Sequence, residues 1–569
     1  MTIAEPSTPS TPSSSSAGDV VPYPEEFARR YREAGYWRAL TLAEELHETA
    51  ERFADHEAVS SGTARLTYRE LDRAADRFAV ALRRLGLRPG DPVIFQLGNE
   101  VGTVVAYFGV LRAGLVPICS LAQHRSREIG YLIQHTGARL HLVEHRFRGH
   151  DLPGFAAEMA AGNPSIQAVI VFGGPGLEGQ HSYEELVEAV DADEAAATVR
   201  TWRIDPESVG VFQLSGGTTG VPKLIPRLHC EYAYNARAWA ETWGFGPGTV
   251  ALQATPIMHN AGITCAVNAV LLSGGRLALA PRARLEDMTR IIAEEGVTDT
   301  LMGTGLATEI SEHPGLAGME FGSVRRMFFA PSIPSLARQA EELFGCPMVP
   351  LYGTGEGIFL TAAESEPEEA RHGTCGRPLS PGDEVRLLRP GTEEEVPVGE
   401  IGELTARGPY TIRGYYRAAE RNRTAFTSDG FYRTGDLARA HLIDGTLYYS
   451  HEGRITDNIS RGGEKIHADE LEALLVEHPA VAEVAVVGMP DRILGERVCA
   501  FVVLSAGAAA PTVADFAELL LAKGLAKFKL PERVEVIQDF PRTDVGKISK
   551  KDLRELIARR LQEEQAQTG

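Results

Sequence analysis

Ser215-Gly216-Gly217-Thr218-Thr219-Gly220-Val221-Pro222-Lys223 follows directly on the apolar run VGVFQL, residues 209 to 214. Three glycines let backbone N–H groups close on an anion, the hydroxyls add donors, and Lys223 adds a positive charge, which together make a phosphate cradle. The segment is not a Walker A loop, because Val221 and Pro222 separate Gly220 from Lys223 and no Ser or Thr follows the lysine. The competing reading is a flexible surface loop, and the strand-to-turn setting with this density of hydroxyls weighs against it.

Four further segments carry polar groups suited to handling a nucleotide: Tyr352-Gly353-Thr354-Gly355-Glu356, Tyr432-Arg433-Thr434-Gly435-Asp436, Gly453-Arg454 with Asp457, and Pro541-Arg542-Thr543 with Gly546-Lys547. With the phosphate loop they resemble, in order and over about residues 25 to 558, the signatures of the adenylate-forming superfamily of acyl-CoA synthetases, peptide-synthetase adenylation domains and luciferases. The resemblance implies ATP and Mg²⁺ as cofactors. Ser215 to Gly220 and Lys223 would bind the polyphosphate, Glu356 would bind the Mg²⁺, a hard cation suited to oxygen ligands, and Asp436 with Arg454 would bind the ribose. Tyr352, with Gly353 and Thr354, would lie against the adenine. Lys547 would stabilise charge that builds as a carboxylate attacks the α-phosphate. A hinge at Thr456 and Asp457 would swing a small domain, removing Lys547 and bringing up the SRGGEK loop, 460 to 465, for attack by a thiol.

Pro256-Ile257-Met258-His259-Asn260 resembles the acid-pocket segment of stand-alone ligases that activate salicylate or 2,3-dihydroxybenzoate. Asn260 can donate to, or accept from, an ortho hydroxyl or amine, and His259 can pack near the acid and the phosphate. An Asp at position 260 would be expected for an α-amino acid, so Asn points away from that class. Ala261 and Gly262 replace an aromatic residue and enlarge the pocket. Cys265 and Phe359 are expected to disfavour a 3-hydroxyl, Ala330 is expected to flank the acid, and Phe328-Phe329 stand where the family has glycines. The expectation is a salicylate-like or anthranilate-like aromatic carboxylic acid, with a pantetheinylated carrier protein as thiol acceptor. The rival readings are CoA as acceptor and a non-catalytic binding protein on the same fold.

The elements that must position these residues read as α/β. Helix-like stretches (Tyr68 to Leu85, Val101 to Ala113) alternate with short apolar strands (92–97, 115–119, 168–172, 348–352), which predicts parallel sheets covered by helices. The expected organisation is a disordered leader at 1–20, a large adenylation domain at 21–453 that closes with a β-rich subdomain, a small mobile α+β domain at 454–558 of βαβ-like pattern, and a polar tail at 559–569. The 569 residues suit two or more domains. A net charge of −20 without a dense basic tract excludes nucleic acid as a partner. Six scattered cysteines suit a cytoplasmic protein without structural zinc or disulfides. No run is apolar enough to span a membrane, a homodimer stays open, and the 22 residues after Lys547 leave no room for a carrier domain.

Overall fold

The structure, a computed structural model, describes residues 19–215, 222–282, 284–303, 321–330, 338, 341–342, 344–455, 458–541 and 548–568. Residues 1 to 18 of the polar leader lie outside that set.

Two sheets carry the large N-terminal part. A seven-stranded sheet runs, in spatial order, His181–Ser182, Ala168–Phe172, Leu140–Glu144, Pro92–Gln96, Val116–Ile118, Val209–Ser215 and Lys223–Leu228. Its pairs are parallel except the last, an antiparallel hairpin. A nine-stranded sheet centres on parallel Met348–Gly353, Arg326–Ala330, Asp299–Gly303 and Val250–Gln253. The central strands are largely apolar because helices cover both faces.

Helices Tyr68–Arg84 and Val101–Arg112 lie between the two sheets, and one continuous core joins Val93, Phe95 and Leu140 of the first sheet to Val59, Leu277 and Leu279 of the second. The first of these helices starts on a capping box, Thr67 with Glu70. The second is apolar all round and buried over nearly its whole length. Gly109 lets them pack closely, since a Cβ there would come 2.8 Å from the Phe78 ring.

A four-stranded antiparallel sheet, Glu384–Leu388, Ile401–Arg407, Tyr432–Ile443 and Thr446–Arg454, follows as the β-rich subdomain. The small C-terminal domain is a five-stranded sheet from Asn458 to Val536. Its long strands Val481–Asp491 and Gly495–Leu504 pair antiparallel as a hairpin, and Gly495–Leu504 pairs parallel with Arg533–Val536 across helix Val513–Ala522, the βαβ element of the expected pattern. Helices Ala468–Leu475 and Val513–Ala522 cover one face through Val486, Ala500 and Phe516, and Lys550–Thr568 covers the other through Val487, Phe501 and Leu553. Residues 559 to 568, the polar tail, are the end of that last helix.

Candidate active site

A cleft of about 480 Å³ opens where the large part meets the small domain. Ser215 and Lys223 face each other across the antiparallel hairpin and both line it. The phosphate-loop residues Gly216, Gly217, Thr218, Thr219 and Gly220 lie outside the described residues. Lys223 holds its Nζ 5.1 Å from the centre of the Tyr415 ring.

Strand Met348–Gly353 delivers the next segment. Beyond it the chain turns tightly, with Thr354 N–H donating to the Ile358 carbonyl and Gly357 N–H to the Thr354 carbonyl. Gly357 has φ +109, and a Cβ there would fall 1.8 Å from the Tyr410 carbonyl oxygen, so glycine is obligatory. The turn presents Glu356, 5 % exposed, to the cleft. Tyr415 Oη donates to Glu356 Oε1 at 2.7 Å and lies 3.2 Å from Tyr432 Oη. Among the described residues no three His, Cys, Asp or Glu cluster as a metal cage. The Glu356 carboxylate offers oxygen ligands of the kind a hard cation takes.

Sequence reasoning missed what braces this turn. Arg227 and Glu231 form a fully buried two-pronged pair at 2.9 Å, and Arg227 also donates to the carbonyls of Gly355 at 2.9 Å and Tyr410 at 3.2 Å. Opposite charges four residues apart within the apolar stretch LIPRLHCEYAY were the available signal. Behind Tyr410, its hydroxyl donates to the buried Asp383. Burial pushes the Asp383 carboxyl up to about 8, against the pull of that hydroxyl.

Tyr352 Oη donates to Asp436 Oδ2 at 2.7 Å. Both residues sit directly beside cleft-lining glycines, Gly353 and Gly435, and Asp436 is paired with Arg454 in the sheet. The Tyr352 ring lies 6.0 Å from that of His451. The Arg454 side chain, and Thr456 and Asp457, lie outside the described residues.

His259, Asn260, Ala261 and Phe359 line the far wall of the cleft. Asn260 is held by Tyr232 Oη, which donates to its Oδ1 at 2.9 Å, and by the Thr354 carbonyl, which accepts from its Nδ2 at 3.3 Å. Two expectations shift here. Cys265 is not among the cleft-lining residues; it edges a separate small void with Phe245 and Phe328. Gly262 is buried facing backbone, its missing Cβ 2.8 Å from the Pro256 carbonyl oxygen, so extra room in the cleft comes from Ala261 alone of the pair. Phe328 turns into an aromatic cluster, its ring 4.8 Å from Trp239 and 5.1 Å from Trp243. The side chains of Phe329 and Ala330 lie outside the described residues.

From the small domain come Gly463 and Glu464 of the SRGGEK loop, with Phe528 and Lys529. Gln123 Nε2 donates to Glu464 Oε1 at 3.1 Å. Lys529, 6 % exposed, bridges Glu128 of the large part at 3.2 Å and Glu470 of the small domain at 2.9 Å. His124 lies beside this bridge, pushed by burial down to about 4 and therefore neutral, with its Nδ1 accepting from Leu121 N–H. Lys547 lies outside the described residues.

The family model described as "AMP-binding enzyme" matches residues 46–416, and that of the "AMP-binding enzyme C-terminal domain" matches 470–547. A protein of a Streptomyces species named salicylyl-CoA synthase / salicylate adenylyltransferase is 41 % identical over 546 residues, covering 94 % of this chain and 97 % of that protein. The 2,3-dihydroxybenzoate-AMP ligase of Bacillus subtilis is 37 % identical over 546 residues, covering 95 % and 98 %. The apo structure of MbtA from Mycobacterium smegmatis superposes with a TM-score of 0.72 at 35 % identity, covering 95 % of this chain and 99 % of that one. With the motifs in order, the two-part architecture and relatives matched end to end, the chain belongs to the AMP-binding enzymes of the adenylate-forming superfamily and is an acid-activating ligase.

Proposed function

We propose that the protein joins ATP to an ortho-substituted aromatic carboxylic acid, releasing pyrophosphate, and passes the aryl group from the adenylate to the pantetheine thiol of a separate carrier protein. The observation that carries this reading is one cleft in which His259 and Asn260 face Glu356 and the two ends of the phosphate loop, Ser215 and Lys223. An acid held at the first pair has its carboxylate directed at phosphates held by the second set. Lys223 and the loop N–H groups bind the polyphosphate. Glu356 would hold Mg²⁺, whose charge would offset that of the phosphates. Asp436, aligned by the Tyr352 hydroxyl, accepts from the ribose, with Arg454 beside it. His259 packs between acid and phosphate, and Lys547 stabilises the attack on phosphorus.

The aromatic class is supported by the relatives named for salicylate and 2,3-dihydroxybenzoate and by an Asn at position 260. The second reading, CoA as acceptor, is favoured by the relative named salicylyl-CoA synthase. ATP–pyrophosphate exchange with a panel of benzoates and amino acids tests the first half. Exchange with salicylate well above that with any α-amino acid is expected, and the reverse order refutes the aromatic assignment. Single-turnover acylation of a pantetheinylated carrier against CoA then separates the two acceptors.

A further inference from the structure

Asn260 has a carboxamide with two faces of opposite polarity, and its surroundings decide which one the cleft sees. The Thr354 carbonyl can only accept, so the atom 3.3 Å from it is the nitrogen, Nδ2. Oδ1 is then on the other side, where the Tyr232 hydroxyl donates to it at 2.9 Å and the Thr264 hydroxyl at 3.4 Å. Tyr232 is itself fully buried and its hydroxyl accepts from Gln213 Nε2 at 3.1 Å, which leaves its hydrogen for Asn260. Oδ1 is thereby held on the Tyr232 side. Nδ2 keeps one N–H with no partner among the described residues, and Asn260 is half-buried on the cleft wall.

We propose that Tyr232 locks the Asn260 amide so that the pocket offers a donor, and that the protein therefore selects acids whose ortho position is a hydrogen-bond acceptor. This rests on the reading that an aromatic acid lies against Asn260, and narrows it. In salicylate the ortho O–H closes onto its own carboxylate, leaving the phenolic oxygen lone pairs pointing outward to meet the Asn260 N–H. A ring nitrogen next to the carboxyl-bearing carbon, as in pyridine-2-carboxylate, presents an in-plane lone pair in the same place. In anthranilate the nitrogen lone pair is delocalised into the ring, and the outward group is an N–H. Two donors then face each other in a partly dry site, where an unmatched donor lowers kcat/KM by roughly 10- to 100-fold. Tyr232 acts here as a positioning residue, since it reaches the acid through Asn260.

The test is the ratio of kcat/KM in pyrophosphate exchange for salicylate and pyridine-2-carboxylate over anthranilate. The wild-type protein should favour both acceptors by about 10-fold or more. Tyr232→Phe removes the donor that seats Oδ1 and leaves the amide held on its Nδ2 side by the Thr354 carbonyl alone, so the amide is free to tilt away from the acid, and the salicylate to anthranilate ratio should fall toward one. A purely structural loss would lower all acids together and leave the ratio at its wild-type value, an outcome that overturns the proposal. Asn260→Asp serves if Tyr232→Phe does not fold: an acceptor in place of the N–H should shift the preference toward anthranilate, and an unchanged ratio again overturns the lock. A wild type that uses anthranilate as well as salicylate overturns the inference while leaving the aromatic reading intact. Exchange with amino acids but no aromatic acid overturns both.

Discussion

At the scale of single residues, pocket volume and pocket polarity are set by different side chains. Ala261 lines the cleft with nothing beyond its Cβ, so Ala261→Phe should fill space that a substituent on the acid would otherwise use. The expected result is a fall of roughly 10-fold or more in kcat/KM for ring-substituted or bicyclic acids and a smaller fall for salicylate, read by pyrophosphate exchange. Equal losses across the series would mean that the ring of the acid does not reach position 261. This residue was legible in the sequence because it follows the His-Asn pair directly. Cys265 was not: residues Gly262–Asn268 wind as a π-helix, which no local propensity announces. The wider turn carries Cys265 into the aromatic cluster instead of toward the acid, while Thr264 returns to Asn260.

At the scale of elements, the cleft turn 353–357 is held by groups far apart in the chain, and that is why its brace was not legible. The five motifs name the residues expected to touch ligand; nothing local marks Arg227 as the side chain that ties strand Lys223–Leu228 to the carbonyls of Gly355 and Tyr410. Glu231→Gln should leave the Arg227 charge buried without its counter-charge, at a cost of about 3–5 kcal/mol. A drop of several degrees in the thermal midpoint, together with weaker exchange, is expected; an unchanged midpoint would show that the pair carries no stability. Asp383 adds a pH dependence to the same brace. Its folded pKa, about 8, lies above the ordinary carboxylate value, so the folded state keeps a proton that the unfolded chain releases near pH 4. The stability it contributes is whole below about pH 4 and is lost as pH rises toward 8. Asp383→Asn keeps a polar partner for Tyr410 without titrating. Thermal midpoints from pH 5 to 8.5 should therefore show the variant gaining on the wild type as pH rises, and parallel curves would contradict the assignment. The small-domain strands were legible as strands because, buried on both faces through Val486 on one side and Val487 on the other, they give continuous apolar runs; their pairing was not, since such runs suit antiparallel and parallel neighbours alike.

At the scale of the whole molecule, the proposed function asks for different neighbours at one cleft in adenylation and in thiol transfer, and the structure displays one arrangement of the small domain. The SRGGEK loop meets the cleft through Gly463 and Glu464, and Lys529 joins the two parts by bridging Glu128 and Glu470, both nearly fully buried. Such a bridge is specific to this arrangement. If the small domain rotates to bring Lys547 inward, Glu128 and Lys529 separate and regain water, so the bridge biases the balance between orientations with little effect on the fold of either part. Lys529→Met leaves Glu128 and Glu470 facing each other with only Arg127, 3.4 Å from Glu470, to offset them in the arrangement shown, a penalty of up to about 3–5 kcal/mol that the rotated arrangement escapes. The variant should therefore keep adenylation and lose thiol transfer, measured by single-turnover acylation of a pantetheinylated carrier started from synthetic aryl-adenylate. Lys547→Ala should do the reverse: about 10²- to 10³-fold slower pyrophosphate exchange with transfer from supplied adenylate largely preserved. The pair forms a double dissociation. Should Lys529→Met slow both half-reactions by one factor, the bridge is part of the small domain's fold and not of its docking; should Lys547→Ala do so, the lysine serves both steps and the alternation of domains is not what separates them.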